Sequence, residues 1–230
     1  MTVLHLADEG EAADLAAFLS RLLHYDRGAA VRLQAAGTAL AVFGRPPSFE
    51  VLAIRAVRLG KPYENGLDVT LDVTVSAGEL LESVDESAGT AAVPAAVTGP
   101  PWAGVLPPRG GWRRETGLPA PDELGAMVAA AVAEFRSRTQ ELAPERRTRT
   151  ELDRIGREIW SRTVGDTRLP VRAVHAAQSL GFLRLRGDRH TPDEAALGLF
   201  SSGAWLRLRT PYGSIAVRRA GLGALDVSVR

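Results

Sequence analysis

A chain of 230 residues, 45% hydrophobic and 24% charged, has ordinary globular composition and enough apolar residues for a sizeable core. Having no cysteine, it excludes disulfides, thiolate catalysis and cysteine-type zinc sites. The net charge of +1 hides an asymmetry: residues 146–230 hold 16 Arg against 8 Asp or Glu, and residues 1–145 hold 12 basic against 19 acidic side chains.

Such halves can steer an acidic ligand, hold two copies head to tail, or attract each other within one molecule. Lys61 is the only lysine among 28 basic residues, a bias of GC-rich codons that discounts the arginine count as a sign of function. The opening MTVLHLADEGE lacks a basic n-region, and no apolar run approaches about eighteen residues, so no signal peptide or membrane span is expected. The expected compartment is the cytoplasm.

In chain order, Asp8 to Tyr25 reads as a helix with one apolar face and acids at its start. Strands are expected at Ala30–Ala35, Thr38–Phe43, Phe49–Leu59 and Leu67–Val75, the third apolar on both faces and so a central strand. A short helix, Ala77–Val84, ends this lobe. Residues 85–119 hold six of the fourteen prolines: SAGTAAVPAAVTG reads as a flexible linker, and PPWAGVLPPRGGW as a strap anchored by Trp102 and Trp112. Asp122–Leu142 and Thr150 to about Val164 form a helical pair, the second opened by a Thr150/Asp153 capping box, and a short connection makes the pair antiparallel. A shorter helix, Leu169–Leu180, a strand at Phe182–Arg186 and a helix opened by Thr191-Pro192-Asp193-Glu194 follow.

Gly203 to Arg219 is the most informative stretch. Leu206, Leu208, Ile215 and Val217 alternate with Arg207, Arg209 and Arg218 around a Pro211-Tyr212-Gly213 turn, predicting a hairpin with one buried and one basic face. It has an echo in Val31-Arg32-Leu33-Gln34, Gly37-Thr38 and Ala41-Val42, which raises a helix–hairpin duplication around the central helices. The order LPPRGGW, helical pair, Leu180-Gly181-Phe182-Leu183 and WLRLRTPYGSIAV resembles a protein family of high-GC actinobacteria without assigned activity. That resemblance implies origin and carries no mechanism.

The constellations point away from an enzyme. His5, His24, His175 and His190 have no metal-binding spacing and read as core-edge or surface residues. No G-x-S-x-G elbow or Walker motif occurs, and Gly221-Leu222-Gly223 stands too near the end to open a dinucleotide fold. The pairs Asp8-Glu9, Asp122-Glu123 and Asp193-Glu194 sit at helix starts, and Asp68 with Asp72 solvates a strand face. Hence no catalytic residue, cofactor or metal is assigned. The surplus arginines, Arg184, Arg186, Arg189, Arg207, Arg209, Arg218 and Arg219, are the candidate contacts to phosphate or an acidic partner. Ala173 to His190 also resembles a recognition helix with a wing.

The sequence therefore predicts an α+β protein: an N-terminal helix-plus-antiparallel-sheet lobe (1–84), a linker and strap (85–119), a central antiparallel helix pair (120–165) and a basic C-terminal helix-plus-hairpin lobe (166–230). The expected function is that of a non-catalytic cytoplasmic binding or regulatory protein acting through protein–protein contact or self-association. A DNA-binding regulator with a winged C-terminal lobe is the alternative.

Overall fold

A computed structural model describes residues 2–61, 71–183 and 197–219. Alternation of apolar and polar residues builds one eight-stranded antiparallel sheet from both ends of the chain. Its strands are β2 (Ala30–Ala36), β3 (Ala39–Gly44), β4 (Leu52–Arg58), β5 (Asp72–Ser76), β8 (Arg113–Glu115), β9 (Gly198–Ser202), β10 (Trp205–Thr210) and β11 (Gly213–Arg218), in the order β5-β2-β3-β4-β11-β10-β9-β8. The strands β1 (Val3–His5), β6 (Val84–Asp85) and β7 (Thr90–Ala92) form a second sheet, ordered β1-β7-β6. β4 lies in the middle of the large sheet, paired with β3 and β11, as its two apolar faces require.

The register fixes two faces. Val31, Leu33, Leu40, Val42, Ala53, Val57, Leu206, Leu208, Ile215 and Val217 point inward to the main core. That face is covered by α1 (Glu9–Tyr25) and α5 (Val171–Ser179), and Phe18 of α1 meets Phe182, in the turn after α5, at 5.5 Å between ring centres. α2 (Ala77–Glu82) adds Leu80, and α3 (Pro121–Glu141) and α4 (Arg149–Trp160) add Leu124, Val128, Ile155 and Ile159. The pairs Arg138–Glu158 (2.8 Å) and Arg162–Glu134 (2.5 Å) run in opposite order along α3 and α4, so the two helices are antiparallel. α4 is capped by Thr148, whose hydroxyl accepts from the Glu151 amide at 3.3 Å, two residues before the expected cap.

The outer face is covered by the strap. It leaves the β5 edge, where the Val97 amide donates to the Thr74 carbonyl, and turns through a 3₁₀ segment, Pro101–Gly104. Trp102 and Leu106 seal a small cluster of Phe43, Leu52, Ile54 and Ala216, and the strap ends in β8 at the opposite edge. The strap expected around Trp102 and Trp112 is thus present, with both indoles half-buried. The flexible linker expected just before it is corrected: Thr90–Ala92 is β7, held between β1 and β6, because small residues fit where two backbones run alongside. The strand expected at 182–186 opens as a turn at 182–183, the Phe182 amide donating to the Ala177 carbonyl at 2.7 Å, and residues 184–186 lie outside the described residues, as does the helix expected from Thr191.

A similar element order occurs in the two halves, but not where the echo put it. Each half is a helix followed by a three-stranded meander running toward the sheet centre, α1-β2-β3-β4 and α5-β9-β10-β11, and the two meet at the antiparallel β4·β11 pair. β2 therefore corresponds to β9, whereas the echo matched it to β10. Alternation of apolar residues and arginine repeats every two residues and fits any neighbouring strand, so it fixes which face is buried and leaves position in the sheet open. The two lobes share one sheet.

Candidate functional site

A depression of about 1130 Å³ runs along the seam between the halves. One wall is the loop after β3, from Pro47 to Glu50, with Tyr25 at the end of α1; the other is α4, the start of α5 and Phe135 of α3. Its floor is a row of rings. Tyr25 and Phe49 meet edge to face at 5.2 Å, Phe49 and His175 at 5.1 Å, His175 stacks on Trp160 at 4.7 Å, and Trp160 leans on Phe135 at 6.2 Å. Burial holds the His175 imidazolium below its ordinary range, so the ring is neutral at physiological pH. Arg149, Arg157 and Arg172 stand on the rim.

Three features of this groove run against stability. Glu50 has φ 52°, the only left-handed non-glycine among the described residues, a conformation that costs of order 1 kcal/mol. Gly156 sits inside α4, where glycine costs about 0.5–1 kcal/mol relative to alanine. A Cβ there would lie 3.5 Å from Trp160 and 3.6 Å from Phe135, in ordinary contact, so sterics do not demand glycine and its effect is to widen the groove. The Nε of Arg172 is buried without a hydrogen-bond partner, and its nearest carboxylate, Glu50, is 4.0 Å away. Such departures collect where a surface is shaped for contact.

The predicted arginines separate. Arg207 and Arg209 lie on the outer face of β10 as the alternation requires, but Arg207 is half-buried, its guanidinium 5.8 Å from the centre of the Trp112 ring, which corrects the expectation that it is fully outward. The strap's Trp112, with its indole N–H donating to the Pro108 carbonyl at 3.0 Å, causes that burial. Arg209 is exposed with its guanidinium 5.3 Å from the Phe200 ring centre. Arg218 is exposed on β11, and Arg219 is half-buried, donating to the Gly203 carbonyl. Arg184, Arg186, Arg189 and His190 lie outside the described residues. Among the described residues no group of three or more His, Asp or Glu gathers as a metal site. Asp72 is bound by Arg32 at 2.7 Å and by Gln34 at 3.1 Å, and Asp68 lies outside the described residues.

Sequence reasoning missed the groove and one buried charge. Arg55, inside β4, is only 6% exposed; it donates to Glu11 at 2.8 Å, Asp14 at 3.3 Å and the Tyr212 carbonyl at 2.7 Å, tying α1 to the turn of the C-terminal hairpin. An arginine between Ile54 and Ala56 in an otherwise apolar strand was the available signal. The groove gave none, since its five rings come from five separate segments.

No helix among the described residues is long and apolar enough to cross a membrane. Neither a curated protein nor a solved structure matches the chain. Residues 1–104 match the family model of a domain of unknown function, DUF8010, and residues 107–222 match that of a second, DUF8185. These spans are the two halves of the sheet, and because the second covers half of its length, the chain belongs to the DUF8185 family.

Proposed function

We propose that this protein is a non-catalytic, regulatory binding protein that takes an acidic segment of a protein partner into the seam groove. In this reading it acts in the cytoplasm. The observation that carries it is the make-up of the groove: an aromatic floor that stays partly open to water, beneath a rim where Arg149, Arg157 and Arg172 outnumber Glu50 and Asp153. Aromatic rings and arginine are the residues that dominate protein-recognition surfaces, because both give large contact areas at low conformational cost.

Charge supplies the choice of partner. Residues 1–104 carry 7 basic and 13 acidic side chains, and residues 107–222 carry 20 and 13. Arg32–Asp72, Arg55–Glu11, Arg138–Glu158 and Arg162–Glu134 each form within one half, whereas between the halves Arg172 approaches Glu50 at 4.0 Å and Arg109 attracts Asp72 at longer range. The positive surplus of the second half favours an acidic partner.

The test is fluorescence anisotropy with two pools of fluorescein-labelled nonapeptides, each with Phe, Trp or Leu at the centre and flanked by Glu and Asp or by Lys. Expected is binding of the acidic pool to the full chain and its loss in Gly156→Leu, which fills the groove between Phe135 and Trp160. Equal binding of the Lys-flanked pool, or unchanged binding by Gly156→Leu, would contradict it.

A further inference from the structure

The outer face of the sheet holds a second feature, away from the groove. Register aligns Arg207, Phe200 and Arg114 in one row across β10, β9 and β8, with Arg209 two residues along and opposite Gly198. Gly198 makes the arrangement possible. A Cβ there would come within 2.9 Å of the Phe200 ring and 3.9 Å of the Arg114 guanidinium carbon, so the ring lies over the bare strand with Arg114 beside it. Arg209 stacks over the same ring, and Arg207 over Trp112. Three guanidiniums thus share one small patch, Arg209 over the Phe200 ring and Arg207 over the Trp112 ring.

Among the described residues the patch holds no counter-charge paired with Arg207. Its Nε is buried without a hydrogen-bond partner, and no ion pair reaches it among the described residues. Glu115, the adjacent acid of β8, belongs to the opposite face, where it accepts from the Ser201 hydroxyl. Burial and the neighbouring charge of Arg209 both disfavour the Arg207 cation, lowering its pKa from the ordinary value. A half-buried guanidinium beside a like charge is what an anionic ligand would relieve.

We propose that Arg207, Arg209 and Arg114 form a binding site for a phosphate group. Three planar guanidiniums neighbouring one another on one face suit a tetrahedral, multiply charged oxyanion better than a single carboxylate. The phosphate can belong to a small phosphorylated molecule or to a nucleic-acid backbone, and the site's chemistry is the same for both.

The experiment is calorimetric titration of the full chain, at low salt, with inorganic pyrophosphate and with a mixed-sequence 20-base-pair duplex as separate probes. Arg207→Gln is compared with Arg218→Gln, an exposed arginine of the same face that lies outside the patch. Expected is binding of at least one probe, weakened about tenfold or more by Arg207→Gln and by less than about twofold by Arg218→Gln. Pyrophosphate binding without duplex binding assigns a small phosphorylated ligand. Duplex binding whose log–log salt slope falls by about one unit in Arg207→Gln assigns a nucleic-acid backbone. If Arg207→Gln does not fold, Arg209→Gln replaces it, and saturating pyrophosphate must raise the melting temperature of the wild type and leave that of the variant unchanged. Absence of binding by either probe, or equal losses in Arg207→Gln and Arg218→Gln, overturns the site.

Discussion

Arg55 and Arg207 stand on opposite faces of one sheet and are held in opposite ways. Arg55, on the helix-covered face, is surrounded by Glu11, Asp14 and the Tyr212 carbonyl, whereas Arg207, under the strap, has an aromatic ring and another arginine for neighbours. The N-terminal half carries the acids that bind its own arginines, and Arg55 reaches across the seam to fasten the C-terminal turn. The C-terminal half keeps guanidiniums that its own carboxylates do not complete, Arg172 in the groove and Arg207 on the outer face. The difference separates an arginine completed within the fold from one that is not, which composition alone cannot do, and the second kind is the one proposed to meet an outside partner.

The largest expected effect breaks or confirms that contrast directly. Arg55→Leu removes the shared partner of two carboxylates in a buried site, and a loss of about 3 kcal/mol is expected in urea denaturation, Glu11 still being bound by Arg58 at 2.9 Å. The same change at Arg207 is expected to cost less than about 1 kcal/mol, since no partner is stranded. Equal losses would erase the distinction. Gly213→Ala disturbs the turn that presents the Tyr212 carbonyl to Arg55: its Cβ would fall 2.7 Å from the Phe182 ring, and overpacking of this kind costs about 1–3 kcal/mol. A melting temperature equal to that of the wild type would show that the turn yields freely.

Two smaller effects sharpen the comparison at the strap and the groove. Trp112→Ala should cost about 1–2 kcal/mol, less than a fully buried indole, and should expose the Arg207 guanidinium to water. In the groove, the His175 pKa lies below its ordinary value of 6.5 because burial penalises the imidazolium. The unfolded chain therefore binds the proton more readily, and stability present above about pH 6.5 is lost as the pH falls from there toward the folded-state pKa. His175→Phe should remove that part of the acid dependence, and an unchanged pH profile would contradict the assignment. The smallest effect has the opposite sign: Gly156→Ala is expected to stabilise by about 0.5–1 kcal/mol while narrowing the groove.

What could be read from the sequence was what repeats along it. The helices α1 and α3, the central position of β4 and the inward Leu206, Leu208, Ile215 and Val217 all follow from periodicity, and Trp102 and Trp112 announced a packed strap in a proline-rich stretch. What escaped depends on residues far apart in the chain. Arg207 alternates outward as expected, yet its burial is decided by Trp112, nearly a hundred residues earlier. Tyr25, Phe49, Phe135, Trp160 and His175 each look like the edge of a separate apolar stripe, and only the docking of the C-terminal helices beside the loop after β3 makes them one floor. The echo failed for the same reason, since a period of two does not record which neighbour a strand takes.

The central claim is that the arginines of the C-terminal half serve an outside, acidic partner. Its most direct measurement is the affinity of the acidic nonapeptide pool for the wild type and for Arg172→Gln, taken between about 0.01 and 0.15 M salt, over which the screening length falls from about 30 to 8 Å. Expected is wild-type binding that weakens as salt rises, and binding to Arg172→Gln that is about tenfold weaker at low salt with a shallower salt dependence. Binding that is indifferent both to salt and to the loss of Arg172 would contradict the claim.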